Sequence, residues 1–355
     1  MEIISTVAIF VLLGAIIFIA NVAEQRRQKG EPYPVFTFIS YGSLSLLYGL
    51  LLIIGLALQF LSTRLLQDPS FARQAAPFFA PGVDPAKVLS GFSVYGPGIW
   101  LSALVGILLL LPFVRRLLAH VMPIDSANPV HAIALSYTML VVINLMFTLG
   151  TGLGNLATTL EQESAAGQPA VTLAGLWLQQ ILTALLAFVG VGWLLRRDGQ
   201  STFQRLGIVK PSWRQVLFGI GLGLLMVPVV MVLERVSSLF QIGFDPNVEK
   251  LTEQLLGPLF RTPIGIFTIG AAAALGEETL LRGAVQPRFG LELTALVFAL
   301  LHSTYGLSLS TLVVFVLGLT LGLVRNRANT STSMIVHAVY NITLAVLAYL
   351  NISGI

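Results

Sequence analysis

Glu277-Glu278-Thr279-Leu280-Leu281-Arg282 is the stretch in this chain best equipped for chemistry. It stands between the apolar run Pro263 to Gly276 and another beginning at Leu291, so three ionisable side chains fall inside a segment that reads as membrane-spanning. Each costs roughly 2.5 to 3.5 kcal/mol to insert at a helix centre, a cost that implies a use. At helical spacing Glu278 and Arg282 are i, i+4 neighbours and can pair, whereas Glu277 points about 100° away and needs another partner.

Two of the four histidines are candidates for that partnership. His302 closes the apolar run Leu296 to Leu301, and His337 is followed one helical turn later by Asn341. His120 and His131 flank a loop containing Pro123, Asp125 and Pro129 and read as ordinary interfacial residues. At about 1.5 Å per residue, Glu277, His302, His337 and Asn341 fall at similar depths, so they can meet in one plane. Six polar residues on three apolar helices are more than helix packing requires.

The chemistry such a set can run is hydrolysis. A carboxylate and an imidazole on different helices can hold a water between them and take its proton. A second imidazole and a carboxamide one turn apart can donate hydrogen bonds to the oxyanion formed when water attacks a carbonyl. No serine or threonine has an evident base beside it, and the chain has no cysteine, which removes thiol nucleophiles, disulfides and Cys-ligated zinc. Water is the favoured nucleophile.

These residues are set in an all-α polytopic membrane protein. The 355 residues are 55% hydrophobic and only 10% charged, against about 25% charged in a soluble domain. About ten spans of the required length of about 20 residues are expected, near 3–22, 35–62, 97–116, 131–150, 171–195, 215–239, 263–287, 291–307, 309–325 and 332–352. Arg26, Arg27 and Lys29 follow the first span and Glu2 precedes it, the reverse of a signal peptide, so it is read as a retained helix. Basic residues fill alternate loops and acids such as Asp68, Asp245 and Glu249 the others, which puts both termini outside. Nucleic acid is not expected as a partner.

The polar connection from Arg196 to Gln215 suggests a division into an N-terminal region, 1–200, of about five helices and no assigned role, and a C-terminal region, 201–355, that carries the catalytic core. Trp100, Trp177, Trp193 and Trp213 read as interfacial anchors, and Asn144, Gln179 and Gln180 as interhelical glue. The pairs Gly219/Gly223 and Gly318/Gly322 have the spacing that permits close helix contact.

In their order and intervals, Glu277-Glu278-xxx-Arg282, Phe298-xxx-His302 and His337-xxx-Asn341 resemble the EExxxR, FxxxH and HxxxN motifs of the CPBP intramembrane proteases. This is the CAAX-protease and bacteriocin-processing family, also called Abi. The resemblance covers roughly Leu206 to Leu350. It implies an endopeptidase related to the CAAX endopeptidases, with Glu277 as main base, His302 its partner on the water, Glu278 and Arg282 paired to hold the site, and His337 and Asn341 facing the oxyanion. The family is commonly named as metalloproteases, and Glu277, His302 and His337 could hold zinc with water in a fourth position. A metal-free, glutamate-activated water needs only the same residues. The resemblance implies a peptide or protein substrate in the bilayer, with prenylated CAAX peptides and leader peptides both in range; the absence of targeting elements and soluble domains suggests a prokaryotic plasma membrane as location. A proton-coupled transporter would also bury Glu, Arg and His, but spread along a path and often with an inverted repeat, which is not evident. A non-catalytic scaffold or immunity protein is the third reading.

Overall fold

The computed structural model describes residues 2–68, 70–78, 85–165, 171–240 and 243–350. Ten principal helices cross or enter the apolar layer: α1 Glu2–Lys29, α2 Pro34–Gln67, α3 Pro85–Leu108, α4 Pro129–Thr151, α5 Leu173–Gly190, α6 Trp213–Phe240, α7 Pro263–Phe289, α8 Leu291–Leu301, α9 Leu309–Arg327 and α10 Thr330–Tyr349. Nine of them are long and apolar enough to span a membrane, and α8 is shorter. No strand occurs among the described residues. The protein is an all-helical, multi-pass membrane protein.

The third span departs from its expected position, near 97–116. Pro97 lies inside α3, which starts at Pro85 and stops at Leu108, and the apolar residues beyond form a separate short helix, Pro112–Leu118. Pro112 sits at the first position of that helix, where its missing N–H costs nothing.

Chain connections at the helix ends sort into two sets, as the alternation of charge requires. At one end Arg27 pairs with Asp125 at 2.7 Å, Arg196 donates to Asn21 at 2.6 Å, and the Thr330 amide donates to the Gly207 carbonyl at 3.0 Å. At the other, Lys250 pairs with Glu161 at 2.9 Å and the Leu309 amide donates to the Gly243 carbonyl at 2.9 Å. The first set gathers the basic loops, the second most of the acids.

Two cores hold the bundle. The N-terminal one is built on Ile16, Leu44, Tyr48 and Ile133; the C-terminal one on Val227, Leu281, Phe298, Leu321 and Val336. Both glycine pairs are true contacts. A methyl group at Gly223 would stand 2.8 Å from the Val336 carbonyl, and one at Gly318 3.0 Å from the Phe298 ring, so α6 meets α10 and α9 meets α8 without room for a side chain. Trp100 and Trp177 are more than interfacial anchors. Their indole N–H groups donate to Gln59 on α2 and to Thr268 on α7, tying neighbouring helices.

Candidate active site

Helix α7 changes register where its charged residues begin. Pro263–Glu277 is α-helical, Glu278–Val285 is π-helical, and Gln286–Phe289 returns to α. In the π register each N–H reaches the carbonyl five residues back, and the Gln286 amide bonds Leu281 accordingly. Pro287 follows and has no N–H, so the next carbonyls lose their donors. Two guanidinium groups replace them. Arg325 Nε donates to the Arg282 carbonyl at 3.1 Å, and Arg205 Nη1 to the Gly283 carbonyl at 3.0 Å. Arg205 lies on the short helix Gly199–Leu206, outside the spans. Burial, with Arg288 nearby, lowers its pKa to about 10, so it remains charged at neutral pH. Arg205→Leu should therefore lower stability by about 1–3 kcal/mol, the cost of an unpaired buried carbonyl, measurable as a fall in the thermal midpoint in detergent.

The two adjacent acids have opposite surroundings. Glu278 is fully buried and engaged on all sides: Oε2 lies 3.3 Å from Arg282 Nε and accepts from Ser333 Oγ at 2.6 Å, and Oε1 accepts from His337 Nδ1 at 3.0 Å. Ser333 also lies 3.1 Å from the Leu321 carbonyl, but it has one proton to give, and the carboxylate is both nearer and charged. Arg282 is fully buried too, with its guanidinium carbon 4.4 Å from the centroid of the Phe298 ring. The charge is thus met by a carboxylate on one side and an aromatic face on another. Among the described residues its Nε and Nη1 have no hydrogen-bond acceptor, so this ion pair is held more by charge than by geometry.

Glu277 has one partner. Gln180 Nε2, from α5, donates to its Oε1 at 3.3 Å, and its Oε2 is buried with no hydrogen-bond partner among the described residues. The expected separation of the two acids by helical angle is therefore realised as a difference in engagement.

His302 caps α8, and its Nδ1 lies 2.9 Å from the Phe298 carbonyl. That oxygen can only accept, so Nδ1 carries the proton and Nε2 of the neutral ring is left as an acceptor. Phe298 is a shared wall, its ring meeting His302 edge-on at 4.9 Å between centroids and His337 at 6.0 Å. Tyr305 stacks on the other side of His302 at 5.8 Å. The turn after His302 is braced from α4, where Asn144 and Thr148 donate to Ser303 at 2.9 and 3.1 Å. Asn341 lies one turn beyond His337 and its carboxamide has no hydrogen-bond partner among the described residues.

The structure thus joins Glu278, Arg282 and His337 directly, ties His302 to them through Phe298, and leaves Glu277 and Asn341 with unengaged polar groups. Three contributors were not singled out by sequence. Ser333 stands one turn before His337, and the spacing Ser333, His337, Asn341 was the available sign. Gln180 was read as glue, and Phe298 only as the aromatic of its motif.

For a metal, the fit is poor. Among the described residues no three His, Asp or Glu side chains are grouped to hold an ion; Nδ1 of His302 and of His337 is committed to a neighbouring oxygen, which leaves Nε2 of each as the nitrogen that could face one. A zinc ion shared by Glu277, His302 and His337 would need these side chains to move.

A multi-pass helical protein with a buried acid, arginine and histidine centre is the class that the fold and site define. Residues 260–343 match the family model described as type II CAAX prenyl endopeptidase Rce1-like, a match that spans α7 to α9 and most of α10 and includes all seven residues of the three motifs. Over these residues the chain is therefore similar to Rce1-like CAAX prenyl endopeptidases, in line with the three motifs. No curated protein and no solved structure matches the chain.

Proposed function

We propose that the protein is an intramembrane endopeptidase that hydrolyses a peptide bond with water activated by Glu277 and His302. The observation that carries this reading is the inequality of the two acids. Both oxygens of Glu278 are engaged, one by Ser333 and the Arg282 charge and the other by His337, while Glu277 keeps one buried oxygen with no hydrogen-bond partner among the described residues.

In the reaction, water donates one hydrogen to Glu277 Oε2 and the other to His302 Nε2. Glu277 takes the proton as the water oxygen attacks the peptide carbonyl carbon. The resulting oxyanion accepts from Asn341 and from His337. Because Glu278 requires a proton on His337 Nδ1, His337 can donate through Nε2 only as the imidazolium. The proton held by Glu277 then passes to the leaving nitrogen and the C–N bond breaks; the new carboxylic acid gives the second water proton to the freed amine, leaving a carboxylate and an ammonium group.

The matched family favours a prenylated C-terminal CAAX-type peptide as the first substrate class to test, with leader peptides as the second. The test is digestion of a membrane-peptide library containing both classes by purified protein in detergent, with and without chelator. Cleavage by wild type, lost in Glu277→Gln and insensitive to chelator, supports the proposal. Cleavage abolished by chelator and restored by zinc would overturn the metal-free mechanism. No cleavage of any peptide by folded protein would favour the transporter or scaffold readings.

We further infer that the basic loops face the cytoplasm of a prokaryotic cell, leaving both termini outside, as the positive-inside rule supports. The chain has no cysteine, so single substitutions report sidedness directly. In intact cells an impermeant thiol reagent should label Glu163→Cys and leave Lys29→Cys unlabelled; the reverse pattern would invert the topology.

A further inference from the structure

We propose that Gln180, on α5 and outside the Rce1-like segment, is the positioning residue for Glu277, fixing which of its oxygens receives the proton; this rests on the reading of Glu277 as the base. Gln180 is 6% exposed in a helix that is otherwise strongly apolar. Its carboxamide meets Glu277 Oε1, and an ionised carboxylate can only accept, so the amide must present Nε2 there. That bond occupies Oε1 and leaves Oε2 as the free acceptor. Gln180 Oε1 is then buried without a partner, an arrangement that a residue serving helix packing alone has no reason to keep. When Glu277 becomes protonated on Oε2 during the reaction, its Oε1 still accepts from the same N–H, so glutamine suits both states of the base where methionine or leucine suits neither.

The approach of α5 to this point is built into α7. A methyl group at Gly276 would fall 2.0 Å from Gln180 Oε1, 2.7 Å from its backbone oxygen and 2.9 Å from its Cα. Two of those three atoms are backbone, so a side chain at 276 must separate the helices. Gly276 directly precedes the base, and the close contact aligns Gln180 with it. The N-terminal region thus supplies a part of the site that the family segment lacks.

The test uses the full-length protein and two readouts, one of which needs no substrate. The first is the infrared carboxylate stretch of Glu277, assigned as the band lost in Glu277→Gln. The second is kcat and KM on a peptide found by library digestion. In Gln180→Met, which keeps the shape and removes the donor, the band should shift and kcat should fall about tenfold or more with KM nearly unchanged. Gly276→Ala should reproduce these effects with Gln180 intact. If Gln180→Met fails to fold, Gln180→Asn, one methylene too short to reach, takes its place. An unshifted band with an unchanged kcat would overturn the proposal. If wild type cleaves nothing, the protease reading fails on that result, and the band alone decides whether Gln180 positions Glu277.

Discussion

Glu278→Ala should destabilise the protein by about 3–5 kcal/mol, the cost of leaving one partner of a buried ion pair without its counter-charge. The substitution strands Arg282, which is 0% exposed, and releases Ser333 and His337 together. Arg282 cannot shed its proton and the aromatic face of Phe298 is a weak substitute for a carboxylate. The expected result is protein that aggregates on extraction or unfolds at a markedly lower temperature. Glu278→Gln should be milder, since the amide still accepts from Ser333 or His337, though it removes the same charge. Folding of Glu278→Ala with a wild-type thermal midpoint would show that Arg282 has a second counter-ion.

Glu277→Gln should behave in the opposite way. Its one hydrogen-bond partner among the described residues is a neutral amide, so removing the charge breaks no hydrogen-bonded ion pair and stability should hold near wild type. The loss appears in catalysis. A carboxamide cannot take a proton from water, and general-base contributions are about 10²- to 10⁴-fold, so kcat should fall by that amount with KM nearly unchanged.

Much of this was legible in the sequence because the bilayer makes polar residues conspicuous. A carboxylate inside a long apolar helix has few explanations, so six site candidates, their motif order and ten helices could be read with modest boundary errors. The third span was misplaced because Pro97 resembled a boundary while sitting in mid-helix, and the real break came at Leu109 to Leu111. The π segment was not legible. It follows from Pro287 together with Arg205 and Arg325, which are close to it only in space. Gln180 was hidden for a similar reason. Its partner is 97 residues away, and one of two adjacent glutamines in an apolar helix bonds a neighbouring backbone or side chain as readily as it positions a base. Ser333 was within reach, since it shares the face of His337 and Asn341, but serine inside a helix is cheap enough to pass without notice.

The account stands on the division of labour between two adjacent carboxylates, and the measurement that tests it most directly is paired. Thermal midpoint and kcat are determined for Glu277→Gln and Glu278→Gln against wild type, on one peptide found by library digestion. The account predicts a crossed result: Glu277→Gln is inactive at wild-type stability, and Glu278→Gln loses stability. Wild-type turnover by Glu277→Gln would contradict it, as would a stable Glu278→Gln that has lost all activity.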